Sequence, residues 1–279
     1  MVPSNATRAP MTDLRHITDP EDPRVADYVD LNDPELRKGV EAAAGFFVAE
    51  SPHVIVNVAR AGRRFRSVLV TPKQQLALAE VLATLPCPVY VADEAVLRRV
   101  VGFNLHRGAV AAVDRWPLPD LDAVLDPAAR VAVVERVNDH ENLGVLFRNA
   151  AALSVDAVVL DRESADPLYR RCVRVSIGHA CTVPWTRYND LTDISSRGFT
   201  LLALTPAVDA IPIDGYEWPT RSAVIVGAEG HGLSEAALTV ADARVRIPME
   251  AGVDSLNVAT AAAIAFYEAR RGSSTRTTR

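Results

Sequence analysis

Apolar runs alternate with segments of helical spacing along most of the chain, and turn-forming residues separate them. Between residues 45 and 114, strand-like runs such as RSVLVT, PVYVA and GAVAAV flank helical patterns such as PKQQLALAEVLATL. The alternation resumes between residues 130 and 270, where VAVVERV, DAVVL, FTLLALT and SAVIVG are almost wholly apolar. Strands of this kind are typical of parallel sheets that are covered on both faces. The pattern predicts an α/β fold with a parallel sheet in the second block.

A stretch rich in proline and acidic residues separates the two blocks. It contains Pro117, Pro119 and Pro127, and this composition predicts a connection between domains. The first block is preceded by DPELRKGVEAAAG, which predicts a lead-in helix, and both chain ends lack apolar anchors. We therefore expect a flexible tail, a first domain with its lead-in helix, a linker, a second domain and a second tail, at residues 1–20, 21–115, 116–128, 129–271 and 272–279.

Composition excludes several classes of protein. The chain has 279 residues, of which 49% are hydrophobic and 23% charged, as in ordinary globular proteins. Apolar runs stay well below the ~20 residues that a membrane-spanning helix needs, and the first residues do not resemble a secretory signal. Cysteine and histidine residues are dispersed, without the spacing of a metal site or a disulfide framework. We expect a cytoplasmic protein with no metal and no membrane partner.

The net charge of −5 argues against binding of nucleic acid through bulk charge alone. Two local basic clusters stand out, ARAGRRFRSV and YRRCVRVS. Taken alone, each fits a solvated face. The arginines of the first cluster are Arg60, Arg63, Arg64 and Arg66.

The segment NDHENLGVLFRNAAAL predicts a helix with one buried face and polar residues at its start. Asn138 and Glu141 are spaced like a capping pair. Arg148 lies off the apolar stripe, and Gly144 precedes it by one turn, so the missing side chain would leave room for a ligand near Asn142. The residues expected to face the core are Leu143, Leu146, Phe147 and Ala150.

A glycine-rich loop, GAEGHG, follows the apolar run SAVIVG. Gly227 is thus predicted at the carboxyl end of a strand, where open parallel sheets bind ligands. The spacing matches neither the GxGxxG dinucleotide motif nor a phosphate-binding loop, and Glu229 disfavours a simple phosphate ligand. A turn before a helix capped by Ser234 explains the glycines equally well.

The segment VRIPMEAGVDSLNVATAAAIAFYEARR ends in an alanine-rich helix that is apolar nearly all round. Such a helix should be buried or lie in a subunit interface. Ser255 can cap the helix, and Asn257 falls in its first turn, where a polar side chain requires partners. Both residues therefore belong to a cap, a polar network or a site.

Together the three segments resemble the SpoU (TrmH-like) class of SPOUT RNA methyltransferases. That family carries an N-x-G-x-x-x-R helix, a G-x-E-G-x-G loop and an I-P-M…S-L-N-V segment, and the likeness covers about the second half of this chain. The first block resembles the L30e-type substrate-binding domain that often precedes the catalytic domain. The matching positions are Asn142, Gly144 and Arg148, then Gly227, Glu229, Gly230 and Gly232, and finally Ile247, Pro248, Met249, Ser255, Leu256, Asn257 and Val258.

The resemblance implies a deep trefoil knot in the second domain and a homodimer with each site near the interface. It also implies transfer of a methyl group from S-adenosylmethionine to a ribose 2′-hydroxyl of RNA, with rRNA favoured over tRNA and no metal required. Two alternatives remain open. One is a non-catalytic RNA-binding or ribosome-assembly protein of this fold, and the other is an enzyme of the same fold that methylates a base.

By the same resemblance, we expect cofactor binding by Gly227, Ile247, Leu256, Thr205 and Met249, and a catalytic group of Arg148, Asn142, Glu229, Ser255 and Asn257. Because a guanidinium stays protonated in proteins, we interpret Arg148 as a clamp for an RNA phosphate rather than as a base. It would lower the pKa of the attacking hydroxyl electrostatically. In an RNA-binding first domain, the candidate contacts are Arg60, Arg63, Arg64 and Arg66.

Overall fold

The computed structural model describes residues 13–29, 31, 41, 43–105 and 107–274. The chain forms two compact units, Met1–Arg115 and Trp116–Arg279. Most of the predicted lead-in helix, residues 33–40 and 42, lies outside the described residues, as do residues 1–12 of the first tail.

The first unit contains a mixed five-stranded sheet in the order β1-β4-β3-β5-β2. Its strands are β1 (Leu14–Ile17), β2 (Phe46–Glu50), β3 (Phe65–Val70), β4 (Val89–Ala92) and β5 (Ala109–Asp114). β4 runs parallel to β1 and β3, whereas β5 runs antiparallel to β2 and β3. The helices are a 3-10 helix (Pro23–Tyr28), α1 (Pro52–Arg60), α2 (Pro72–Ala77), α3 (Ala79–Leu82) and α4 (Glu94–Val101).

The prediction of a flexible tail at residues 1–20 is wrong for Leu14–Ile17, which forms an edge strand. This strand pairs in parallel with β4, and the Val89 amide donates to the Asp13 carbonyl over 2.9 Å. Ile17, only 2% exposed, is the one buried residue of the strand. A single buried position gives no periodicity, so the apolar pattern could not reveal this strand.

The second unit contains a seven-stranded sheet in the order β10-β12-β9-β11-β6-β7-β8, in which every pairing is parallel. The predicted α/β class with a parallel sheet is confirmed. The strands are β6 (Arg130–Glu135), β7 (Ala157–Leu160), β8 (Trp185–Arg187), β9 (Thr200–Leu204), β10 (Ile211–Pro212), β11 (Ser222–Gly227) and β12 (Ala243–Arg246). The trefoil knot and the L30e likeness stay predictions.

Helices cover the faces of this sheet. They are α5 (Leu121–Leu125), α6 (His140–Ala152), α7 (Arg170–Val175), a 3-10 helix (His179–Cys181), α8 (Thr192–Ser195), α9 (Glu235–Val240) and α10 (Val258–Ser274). Among the described residues, none of the helices combines the length and the apolar character needed to cross a bilayer.

Two predicted boundaries of the second domain are wrong. Residues 116–128, expected to be a linker, contain α5, whose Val124 and Leu125 are buried in the same core as Val131 and Ile225. This segment therefore belongs to the second unit. The second tail was expected from residue 272, but α10 continues to Ser274, and residues 275–279 lie outside the described residues.

The buried face of α6 agrees with the prediction, whereas its cap and its packing against α7 do not. The expected apolar stripe is confirmed, since Leu143, Leu146, Phe147 and Ala150 are all fully buried. Asp139 caps the helix by accepting from the Asn142 amide over 2.7 Å, in place of the predicted Asn138–Glu141 pair. At Gly144 a Cβ atom would lie 2.8 Å from the Cys172 carbonyl oxygen and 2.9 Å from the Val175 Cβ. The glycine allows close contact between helices, so the prediction of ligand space beside it is wrong.

We expect Gly144→Ala to lower the free energy of unfolding. In an exposed helix this change stabilises by about 1 kcal/mol, but here the new methyl group must displace the α7 backbone, at a cost of about 1–3 kcal/mol or more. Urea denaturation measures the difference. The control is Ala152→Gly at the exposed end of α6, which reports helix propensity without such a contact. A more stable Gly144→Ala protein would contradict the packing role.

Candidate functional site

A pocket of about 540 Å³ lies at the carboxyl ends of the adjacent strands β12, β9 and β11. Its walls come from the residues that follow these strands and from the segment that leads into α10. Because parallel strands present their carboxyl ends at one edge, this is the edge where open α/β sheets bind ligands. The pocket is thus formed by segments that are distant in sequence.

The structure brings most of the expected site residues to this pocket. All five residues expected to bind a cofactor line it, and Glu229, Ser255 and Asn257 line it as well. Asn142 joins them through a hydrogen bond to Asn257. The five expected cofactor residues are Thr205, Gly227, Ile247, Met249 and Leu256.

Two different structural requirements explain the glycines at the end of β11 and in the loop that follows it. At Gly227 a Cβ atom would lie 2.5 Å from the carbonyl carbon and oxygen of Gly232 and 2.7 Å from the Leu233 nitrogen. The loop therefore folds directly back onto Gly227, and the Gly232 amide donates to the Ala228 carbonyl over 2.9 Å. Gly230 and Gly232 have φ values of 83° and 65°, in the left-handed region that glycine adopts without strain.

One amide side chain joins three segments at the mouth of the pocket. The Asn257 Nδ2 donates to Asn142 Oδ1 over 2.7 Å and to Glu229 Oε1 over 2.9 Å. The Asn257 Oδ1 accepts from the amides of Ala259 and Thr260 at 3.0 and 3.1 Å, so it caps α10. These backbone donors require an oxygen at that position, which assigns the amide orientation. The prediction that Ser255 caps this helix is wrong, because Asn257 is the cap.

Arg148 occupies a different place. It is exposed on α6, and it does not occur among the described residues that line the pocket of its own chain. Partial burial, and secondarily the charge of Arg148, lower the pKa of His179. The His179 Nδ1 lies 3.1 Å from the Thr182 hydroxyl. Within one chain, the charge of Arg148 therefore acts on His179, and Arg148 does not line the pocket.

The four arginines of the first basic cluster are not equivalent. The Arg66 Nε donates to Asp114 Oδ1 over 2.5 Å, and the guanidinium lies 4.9 Å from the centre of the Phe46 ring. Arg64 also lies 3.3 Å from Asp114, but its side chain is 86% exposed. Arg60 is exposed at the end of α1. Arg66 thus stabilises the fold, whereas Arg60 and Arg64 reach solvent.

Glu135, a buried carboxylate at the end of β6, is a further site residue that the local sequence motifs do not indicate. It accepts from the amide of Ser234 over 2.8 Å and from the hydroxyl of Ser234 over 2.7 Å. The sequence signal for Glu135 is an acidic residue at the end of an otherwise apolar strand. The predicted cap at Ser234 is confirmed, since its hydroxyl accepts from the Ala237 amide over 3.1 Å.

Within the described part of the chain, histidine, cysteine and acidic side chains form no group of three that could hold a metal ion. The three cysteines, Cys87, Cys172 and Cys181, are buried and form no disulfide bond. Burial raises the pKa of the Cys87 thiol to about 11, which keeps this thiol protonated and unreactive near neutral pH.

Comparison with known proteins agrees with this geometry. The model of the SpoU rRNA Methylase family matches residues 129–267. An uncharacterized tRNA/rRNA methyltransferase of Mycobacterium tuberculosis, Rv0881, is 46% identical over 269 residues, which are 93% of this chain and 92% of that protein. The 23S rRNA (guanosine-2′-O-)-methyltransferase RlmB of Acinetobacter baylyi is 30% identical over 248 residues, or 85% and 97% of the two chains.

The fold also has close counterparts among solved structures. The crystal structure of an AdoMet bound rRNA methyltransferase from Sinorhizobium meliloti superposes with a TM-score of 0.77. The superposition covers 93% of this chain and 98% of that one, at 22% sequence identity. At this level of identity the likeness concerns the fold.

We expect Gly227→Ala to lower the free energy of unfolding by about 1–3 kcal/mol, because the added methyl group collides with the backbone at Gly232 and Leu233. The control is Gly198→Ala, where a Cβ atom would meet nothing within 4 Å and only the positive φ opposes alanine. Thermal and urea unfolding compare the two. A crystal structure of Gly227→Ala should show the loop displaced. An unchanged loop would contradict the steric role of Gly227.

Proposed function

The chain belongs to the SpoU rRNA methylase family, and from this premise we propose that it transfers a methyl group from S-adenosylmethionine to a ribose 2′-hydroxyl of RNA. The observation that carries the proposal is the hydrogen-bonded cluster of Asn142, Glu229 and Asn257 at the mouth of the pocket. It is supported by the relative RlmB, which is named a 23S rRNA (guanosine-2′-O-)-methyltransferase. This relative also favours rRNA over tRNA as the substrate.

The pocket suits S-adenosylmethionine in size and in lining. Its volume of about 540 Å³ falls within the range of small-molecule sites, which are mostly apolar with a few placed polar groups. Ile247, Met249 and Leu256 supply apolar surface, and Gly227 brings main-chain atoms to the wall without a side chain. We propose that these residues and Thr205 hold the cofactor. When bound, it supplies an electrophilic methyl group on a sulfonium.

The polar cluster would orient the ribose. Asn257 fixes one oxygen of Glu229, which directs the carboxylate at the pocket mouth, and Ser255 lies on the same wall. Alignment of the reacting groups can contribute roughly 7–11 kcal/mol in favourable systems. Removal of the hydroxyl proton contributes less, about 10²–10⁴-fold. Positioning by Asn142, Glu229, Ser255 and Asn257 is therefore the larger part of the proposed mechanism.

We propose that Arg148 binds a phosphate of the RNA and lowers the pKa of the attacking hydroxyl through its charge. Because Arg148 does not line the pocket of its own chain, we propose that it acts in the homodimer that the family resemblance implies. The exposed side of α10, including Tyr267, offers apolar surface for such contact. The three cysteines, none of which forms a disulfide bond, support a reducing compartment, and we propose a cytoplasmic location.

Mapping of the product separates the proposed reaction from its two alternatives. The protein is incubated with tritiated S-adenosylmethionine and total rRNA, and the product is cleaved with alkali. A ribose 2′-O-methyl blocks cleavage at its position, whereas a methyl group on a base does not. Blocked cleavage supports the proposal. Labelled but cleavable RNA indicates base methylation, and RNA binding without label indicates the non-catalytic alternative.

We expect Arg148→Ala to lower the rate of methyl transfer by about 10²–10³-fold, the usual loss when one preorganised charge partner is removed. Calorimetry should show S-adenosylmethionine binding with unchanged affinity, because Arg148 does not line the pocket. The control is Arg197→Ala, whose partner is Asp122 in α5, and it should retain activity. Full turnover by Arg148→Ala on a true substrate would refute the role.

We expect the double change Arg60→Glu and Arg64→Glu to weaken RNA binding and to reduce its salt dependence, by a slope of about 1 for each lost phosphate contact. Arg66→Glu should instead lower stability, because the part-buried Arg66 bonds to Asp114 and packs on Phe46, whereas the Arg64 side chain is exposed. Filter binding at several salt concentrations measures the affinity. The control, Arg98→Glu with Arg99→Glu on α4, changes the net charge equally. Equal losses of RNA affinity in both double variants would indicate that binding depends on the net charge of the protein rather than on a local contact.

A further inference from the structure

Glu135 contacts both ends of the loop that carries Glu229. Its backbone is in register with Gly227, the residue at which the loop leaves β11. Its carboxylate accepts two hydrogen bonds from Ser234, the residue at which the loop enters α9. The segment Ala228–Leu233 is therefore closed at its start by sheet pairing and at its end by a side chain of the neighbouring strand.

The bonds at Ser234 form a directed chain. The Ser234 hydroxyl donates its one proton to Glu135 Oε1 over 2.7 Å, and its oxygen accepts from the Ala237 amide. Ser234 thus caps α9 while its hydroxyl proton is bound by Glu135. Both oxygens of the Glu135 carboxylate accept hydrogen bonds, because Oε2 accepts from the Ser234 amide over 2.8 Å.

A neighbouring cation supports the same closure. The Arg136 guanidinium lies 3.7 Å from Glu135 Oε2 and donates to the Gly232 carbonyl over 3.3 Å. Gly232 is the residue whose backbone packs on Gly227, so this contact holds the tightest point of the loop. The buried carboxylate, the serine and the arginine converge on the segment that forms one wall of the pocket.

We propose that Glu135 is a positioning residue that closes the Ala228–Leu233 loop and thereby places Glu229 and the pocket wall for cofactor and ribose. This inference rests on the proposed function for its catalytic consequence. Glu135 acts through Ser234 and does not itself occur among the described residues that line the pocket. Its loss should therefore affect cofactor affinity and the rate of transfer together, because the loop contributes to both.

The reporter for this proposal is the Gly232 amide, which bonds to the Ala228 carbonyl and not to Glu135. In Glu135→Ala we expect hydrogen exchange at this amide to be about tenfold faster, since the lost bonds to a charged group no longer oppose local opening. The dissociation constant for S-adenosylmethionine should rise by about tenfold, and the transfer rate at saturating cofactor should fall. Glu135→Gln, which keeps the shape and one acceptor oxygen, should give intermediate values.

Asp156 provides a matched control, because its side chain bonds to the opposite end of β6. Its carboxylate accepts from the amides of Ala129 and Arg130 at 2.9 and 2.8 Å, so it makes the same kind of contact away from the pocket. Asp156→Ala should lower stability but leave Gly232 exchange and cofactor affinity within about twofold of wild type. Equal acceleration of Gly232 exchange in both variants would overturn the proposal, because the effect would then be global.

Unchanged hydrogen exchange at the Gly232 amide in Glu135→Ala would also overturn the proposal. Should that variant not fold, Ser234→Ala, which leaves the carboxylate bonded to the backbone amide, takes its place. Faster Gly232 exchange in Ser234→Ala then supports the proposal, and unchanged exchange contradicts it. If wild-type protein binds no S-adenosylmethionine, the proposed function fails, while exchange at Gly232 still decides whether Glu135 closes the loop.

Discussion

The site depends on the side-chain amide of Asn257. Its oxygen caps α10, and its nitrogen bonds to Asn142 at the start of α6 and to Glu229 in the loop after β11. Because an amide has one acceptor and one donor end, the cap fixes which end faces the two site residues. A carboxylate could cap the helix but could not donate to Glu229. Helix formation and site assembly are thus coupled through a single residue.

The backbone contact at Gly227 makes this coupling possible. The loop returns so closely that a methyl group at Gly227 would overlap the backbone of Gly232. Close return places Glu229 within hydrogen-bond reach of Asn257, and it leaves main chain rather than side chains at that part of the pocket wall. The Asn257 cluster is exposed, so its bonds contribute modestly to stability. Their main effect is to orient the Asn142, Glu229 and Asn257 side chains, as the proposed alignment of a methyl donor and a hydroxyl would require.

The apolar pattern predicted the class of fold because the inner strands are nearly continuous apolar runs, as β6 and β11 show. It missed β1 and α5, which are short and contribute few buried positions. Ser255 and Asn257 are both good caps two residues apart, and only partners from remote segments select Asn257. Gly144 was misinterpreted for the same reason. Its neighbour, the backbone of α7, is not visible in the local pattern of α6.

The way in which Glu229 is held has a chemical consequence. A guanidinium in place of the Asn257 amide would pair with Glu229 and neutralise its charge. Instead, a neutral amide holds the carboxylate without neutralising its charge, and Arg148 stays exposed on α6. The lowered pKa of His179 keeps that imidazole neutral near pH 7, so it adds no competing charge beside Arg148. In the proposed mechanism, one cation and one anion would then act on two different parts of an incoming nucleotide, its phosphate and its ribose.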